Sequence, residues 1–125
     1  MFLIDTHALL WYLRDSPEIS KTAKEAIDKS DRIFTSIASL WEIAIKRNIG
    51  KLDLEFSSVQ IERLCIQKEI SLLPIKAEHL DKLNDLPKHH KDPFDRLLIA
   101  QALAENLCII TRDQTIPQYD IKTLW

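Results

Sequence analysis

Apolar residues fall along this chain in two rhythms. Short runs centred on apolar positions, Phe2-Leu3-Ile4, Arg32 to Thr35, Leu72 to Ile75 and Leu107 to Thr111, have the pattern of buried strands, and Ile121 to Trp125 adds one more at the edge. Between them the apolar positions recur at helical spacing. Ala8 to Arg14 forms a short helix broken by Ser16-Pro17, and Ser20 to Lys29 forms a surface helix with Ser20 as N-cap. Ser36 to Asn48 carries Ile37, Leu40, Trp41, Ala44 and Ile45 at helical spacing, with Gly50 where a C′ residue belongs. Ser58 to Glu69 and Ala77 to Leu86 are two further helices, the second stopped by Pro87. After the polar loop Lys88-His89-His90-Lys91, Asp92-Pro93 opens a strong helix to about Asn106, with Asp92 as N-cap, Pro93 at N1 and Asp95 at N3. Strands alternating with helices predict an α/β fold, a central parallel sheet with helices on both faces. No repeat, low-complexity tract or linker interrupts the pattern, so residues 1–125 are expected to form a single domain.

Composition narrows what such a fold can do. The 125 residues are 46% hydrophobic and 29% charged, a globular balance with enough chain for one real core. Gly50 is the single glycine, which excludes the glycine-rich loops that cradle nucleotides. Cys65 and Cys108 lie in separate apolar segments with no C-x-x-C, and read as buried reduced thiols. No apolar run approaches the ~20 residues of a membrane span. The apolar start is broken by Asp5 and lacks a basic lead, so a cytoplasmic protein is expected. The net charge of −2, from 17 basic and 19 acidic side chains, argues against a broad electrostatic footprint for nucleic acid but leaves room for a local one.

The candidate chemistry lies in the carboxylates. In a parallel sheet, ligands sit outside the carboxyl ends of the strands. Asp5 ends the first strand, and Asp113 follows the strand that closes on Thr111. Asp95 lies in the first turn of its helix, on the side of Leu98, Ile99 and Ala102, and Glu42 borders a stripe of Ala38, Ile45 and Ile49. Each also has a plain structural reading. Asp92 and Asp95 suit a helix cap and its capping-box partner, Asp113 a turn, and Glu42 a solvated helix face. Four acids aimed at one rim must take up protons or share a cation, and Mg²⁺ or Mn²⁺ suits a donor set of carboxylate oxygens and water.

Four segments resemble the motifs of PIN domains: Phe2-Leu3-Ile4-Asp5-Thr6-His7, Ser39-Leu40-Trp41-Glu42-Ile43, the run Asp92 to Ala102, and Ile110-Thr111-Arg112-Asp113. They stand in that family's order and cover essentially the whole chain. Among its members the chain looks most like the VapC-type toxins of bacterial and archaeal toxin–antitoxin pairs. The resemblance implies a Mg²⁺- or Mn²⁺-dependent ribonuclease, with Asp5, Glu42, Asp95 and Asp113 as catalytic acids and ligands to one or two ions. It also implies an RNA substrate, a homodimer, and a cognate antitoxin whose tail fills the acidic groove.

On this view Asp5 and Asp95 form the primary metal site, completed by Asp113 and Glu42 directly or through water, and in-line attack leaves a 5′-phosphate and a 3′-hydroxyl. Thr6 and Thr111, beside acids at strand ends, are candidates to orient ligand or water, or simply to cap loops. Arg96 and Arg112 adjoin two of the acids and are candidates to clamp a phosphate or to balance charge. The Lys88–Lys91 run is a candidate RNA-backbone contact or a solvated loop. His7 is a weaker candidate base, His79 reads as structural on a surface helix, and Trp11, Tyr12 and Trp41 read as core or dimer interface. Receiver domains and haloacid-dehalogenase-like phosphatases need acidic pairs at the first strand that Asp5-Thr6-His7 lacks. A non-catalytic acidic-groove module that binds a partner, and a PIN nuclease acting on DNA or in RNA processing without an antitoxin, are the readings that stay open.

Overall fold

A computed structural model describes all of residues 1–125. The chain runs β1 (Phe2–Ile4), α1 (Thr6–Leu13), α2 (Lys21–Lys29), β2 (Ile33–Ser36), α3 (Ile37–Asn48), α4 (Ser58–Gln67), β3 (Ile70–Leu73), α5 (Ala77–Asp85), α6 (Pro93–Glu105), β4 (Cys108–Ile110), a 3₁₀ turn (Ile116–Tyr119) and β5 (Thr123–Leu124). The five strands form one sheet in the order β3-β2-β1-β4-β5, and every pairing is parallel. This is the expected α/β architecture.

Side chains alternate across the sheet, so each strand feeds two cores. Ile4, Ile33, Ile70 and Ile110 point into a cluster with α1 to α4. Leu3, Leu73 and Ile109 point to the other side, where Leu98, Ile99 and Ala102 of α6 cover them. No helix is long and apolar enough to cross a membrane. Both cysteines are free, Cys65 buried and Cys108 half-buried.

Helix ends follow local chemistry. Ser20 caps α2, Ser57 and Gln60 form a reciprocal capping box on α4, and Asp92 Oδ1 accepts from the N–H groups of Phe94 and Asp95 at 2.9 and 3.0 Å. Gly50 closes α3 at φ +75°. Its N–H reaches Arg47 O at 3.1 Å and that of Lys51 reaches Lys46 O at 2.8 Å, the paired bonds of a Schellman motif.

Three expectations shift. Helix α1 begins at Thr6 rather than Ala8, because the Asp5 side chain accepts from Ala8 N–H and starts the helix directly after the strand. Strand β3 covers residues 70–73 rather than 72–75. The chain turns at Glu69 (φ +59°) and enters the sheet at once, and Pro74 has no N–H to offer a further ladder bond. In α3 the buried side runs through Ala38, Leu40 and Ile43, while Ile37, Trp41 and Ala44 are exposed.

Between the layers one polar group lacks a partner. Thr35 is fully buried in β2 and its hydroxyl makes no hydrogen bond. An unpaired buried hydroxyl costs ~1–3 kcal/mol. Thr35→Val, nearly the same shape without that group, should raise stability by about 1 kcal/mol in urea unfolding; a loss of that size would show that the hydroxyl has a partner.

Candidate active site

The strand order reverses at β1. From β1 the chain steps outward to β2 and β3, then crosses back to place β4 on the other side of β1. Loops leaving the carboxyl ends of β1 and β4 therefore diverge and leave a crevice. Its volume is about 360 Å³, and among the residues lining it are Asp5, Glu42, Asp92, Asp95 and Asp113, faced by Lys46 and Arg112. All four acids singled out from the sequence thus line one space.

Each acid arrives there from a different element. Asp5 follows β1 directly and is only 6% exposed. Its Oδ1 accepts from Ala8 N–H at 2.8 Å and its Oδ2 from the Thr111 hydroxyl at 2.5 Å. Glu42, 3% exposed, lies on α3, which begins where β2 ends. Its Oε1 accepts from Thr6 Oγ1 at 2.7 Å, and its Oε2 meets Lys46 Nζ at 2.6 Å. Asp95 projects from the first turn of α6, free of the capping work that Asp92 performs. Asp113 lies exposed beyond β4, and its Oδ1 accepts from Thr115 and Ile116 N–H at 2.6 and 3.1 Å. The turn-forming role of Asp113 and its place in the crevice are therefore compatible.

Crowding of negative charge shows in the acidities. Burial lifts the Asp5 carboxyl above its ordinary range, outweighing the bonds from Thr111 and Ala8 that favour its ionised form. Burial, reinforced by the charges of Asp92, Asp5, Glu42 and Asp113, pushes Asp95 up to about 7. The donor set is all oxygen, negatively charged and underneutralised, which fits a hard divalent cation.

The remaining candidates divide. Thr6 and Thr111 spend their hydroxyls on Glu42 and Asp5, orienting carboxylates. Arg112 lines the crevice, its guanidinium 4.3 Å from the Trp11 ring and bonded to Glu18 at 2.8 Å. Arg96 does not join them: it bonds the Pro87 carbonyl at 2.8 Å and the Tyr119 hydroxyl at 3.1 Å, bracing the loop before α6. His7 lines the crevice and stacks on Trp11. Trp41 is 58% exposed, edge-on to Phe94. Lys46 escaped the sequence reading, although its i,i+4 spacing from Glu42 was a usable signal.

His79 is structural, as expected: it is the one buried residue of an otherwise largely exposed α5, its Nδ1 accepting Lys76 N–H at 3.0 Å and its Nε2 bonded to Glu105 at 2.9 Å. With Glu78 these residues bring three ligating atoms within 4.8 Å of one another, closer than the crevice acids stand. Both ring nitrogens are nevertheless occupied, Nδ1 by the start of α5 and Nε2 by Glu105 on α6.

The PIN domain family model matches residues 2–122. The chain belongs to the PIN domain family. Its PIN fold is shared with a chain of VapBC2 from Rickettsia felis bound to a DNA fragment from its promoter, at a TM-score of 0.73 and 14% identity, covering 98% of this chain and 96% of that one. FitAcB from Neisseria gonorrhoeae gives a TM-score of 0.68 at 15% identity over 100% and 97% of the two chains. VapBC-1 from nontypeable Haemophilus influenzae gives 0.68 at 20% over 98% and 96%. No curated protein matches the sequence.

The raised pKa of Asp95 has a definite sign in stability. Asp95 holds its proton more tightly folded than unfolded, so metal-free protein loses stability as pH rises from 3.8 toward about 7, and the loss is complete above that. In thermal melts Mn²⁺ should therefore raise the Tm strongly at about pH 8 and little at about pH 5. Asp95→Asn should melt higher than wild type at the upper pH without Mn²⁺, and gain less from it. Equal Mn²⁺ shifts at both pH values would contradict this picture of the crevice.

Proposed function

We propose that this PIN domain is a divalent-metal-dependent endoribonuclease, the toxin of a VapBC-like toxin–antitoxin pair. The observation that carries the reading is the convergence of Asp5, Glu42, Asp95 and Asp113 on one crevice at the strand-order reversal, with too few cations to neutralise them. In this reading Asp5 and Asp95 are the primary ligands to one or two Mg²⁺ or Mn²⁺ ions, and Glu42 and Asp113 complete the set directly or through water. Such a cation, when bound, supplies an acidified water and neutralises charge on the scissile phosphate.

The side chains supply position. Thr111 and the start of α1 hold Asp5 in a fixed rotamer, and Thr6 does the same for Glu42. Lys46 neutralises the outer oxygen of Glu42. Arg112, braced by Glu18 and Trp11, stands beside the crevice and is the group to grip an RNA phosphate. Hydrolysis leaves a 5′-phosphate and a 3′-hydroxyl. The likeness to VapBC and FitAB structures supports a cognate antitoxin as partner, whose basic segment would suit an acidic crevice, and the same reading expects a homodimer.

Incubation of end-labelled RNA with the protein, with Mn²⁺ or Mg²⁺ and with excess EDTA, tests the activity. Asp5→Asn should abolish cleavage while leaving the Tm unchanged or raised, because it relieves repulsion; wild-type cleavage by that variant overturns the assignment. Metal binding without RNA cleavage would redirect the reading to DNA, and absence of both to a partner-binding module. Arg112→Ala should raise the KM for RNA by about tenfold with kcat nearly kept, the worth of one charge-assisted hydrogen bond. An unchanged KM would remove Arg112 from substrate binding.

A further inference from the structure

The loop before α6 is organised around a buried hydroxyl that the crevice chemistry does not use. Tyr119 is 4% exposed, and its Oη meets His89 N–H at 3.2 Å, His90 N–H at 3.1 Å, Arg96 Nη1 at 3.1 Å and His90 Nδ1 at 2.7 Å. The two backbone groups and the guanidinium can only donate. The hydroxyl has one hydrogen, and Nδ1 is the sole acceptor among these neighbours, so Tyr119 donates to Nδ1 and the neutral ring carries its proton on Nε2. That Nε2 is buried with no hydrogen-bond partner, and Asp95 Oδ2 lies 3.5 Å away. The gap is about half an ångström beyond an ordinary N–H···O distance. The Asp95 carboxylate accepts no hydrogen bond, unlike those of Asp5 and Glu42, which are each held by a threonine.

We propose that His90 is the positioning residue for Asp95. Its Nε2–H, aimed by the Tyr119 hydroxyl, closes on Oδ2 and leaves Oδ1 as the oxygen offered to a cation. Arg96 serves the same end, since its bonds to Pro87 and Tyr119 keep the loop from carrying the ring away. This inference rests on the reading of the crevice as a cation site. Outer partners of this kind are worth ~10–100-fold in metal affinity.

The test is Mn²⁺ titration of the intact protein by calorimetry, together with imidazole ¹⁵N spectra of the metal-free form. His90→Leu should bind Mn²⁺ about tenfold or more weakly at an undiminished Tm. His90→Gln, whose amide nitrogen reaches the place of Nε2, should recover most of the loss, and Tyr119→Phe should weaken binding in the same direction. The spectra should show His90 as the Nε2–H tautomer. Wild-type affinity in His90→Leu, or an Nδ1–H tautomer, overturns the proposal. If His90→Leu does not fold, His90→Asn replaces it: its shorter amide stops short of Asp95, and an affinity equal to that of His90→Gln is then the overturning result. Wild-type protein that takes up no Mn²⁺ refutes the cation site and with it the role of His90. The tautomer, read without metal, tells that failure from a misassigned ring.

Discussion

The Asp5 carboxylate is held from two sides of the molecule. One oxygen accepts from Ala8 N–H and so starts α1; the other accepts from Thr111, which follows β4. Its own N–H bonds Ile110 O at 3.1 Å, extending the β1–β4 ladder by one step. The first helix, the central strand pair and the wall of the crevice thus share one buried acid. Burial works against its charge, and the two donors on its oxygens fix where that charge points without removing the cost. Other acids then have to fit around a group that cannot move.

Much of the crevice can be understood as the management of this charge. Glu42 is even more buried than Asp5 but is relieved by Lys46 one turn along its own helix. Asp113 is exposed, and water screens it. Asp95 has neither a lysine nor full solvent, and burial together with the neighbouring acids pushes its pKa up to about 7. A site that binds a hard cation needs such unrelieved charge, whereas a purely structural one would have neutralised it. Active sites commonly keep stability in reserve elsewhere to carry a local cost of this kind, and here the two well-packed cores flank the sheet on either side.

The places where sequence expectation and structure part are instructive because each has a long-range cause. Strand β3 registers against β2, Ile70 on Ile33 through Leu73 on Ser36, and that pairing pulls the strand two residues upstream of where the apolar run suggested. The sequence reads His79 as structural without naming its partner, which is Glu105, 26 residues away in the chain. Arg96 adjoins Asp95 in sequence, but neighbours on a helix diverge by about 100°, and its guanidinium turns to Pro87 and Tyr119 instead. Gln101, unremarked in the sequence, is fully buried and ties Ser36 to the Pro74 carbonyl across the layers.

What the sequence by itself determined was local: the order of strands and helices, the serine, aspartate and glycine caps, three acids at or near element ends and a fourth on a helix face. These follow from periodicity and capping, which act within a few residues. The tertiary structure decided which acids share a space, because strand order is set by packing and the reversal at β1 brings together residues up to 108 positions apart in Asp5 and Asp113. It also decided which acids are relieved and which are not, since Lys46 was within reach of a local rule while Thr111, Tyr119 and His90 met their partners only through the fold. Hydrogen bonds and desolvation depend on distances in space, and spacing along the chain encodes those only within a helix or turn.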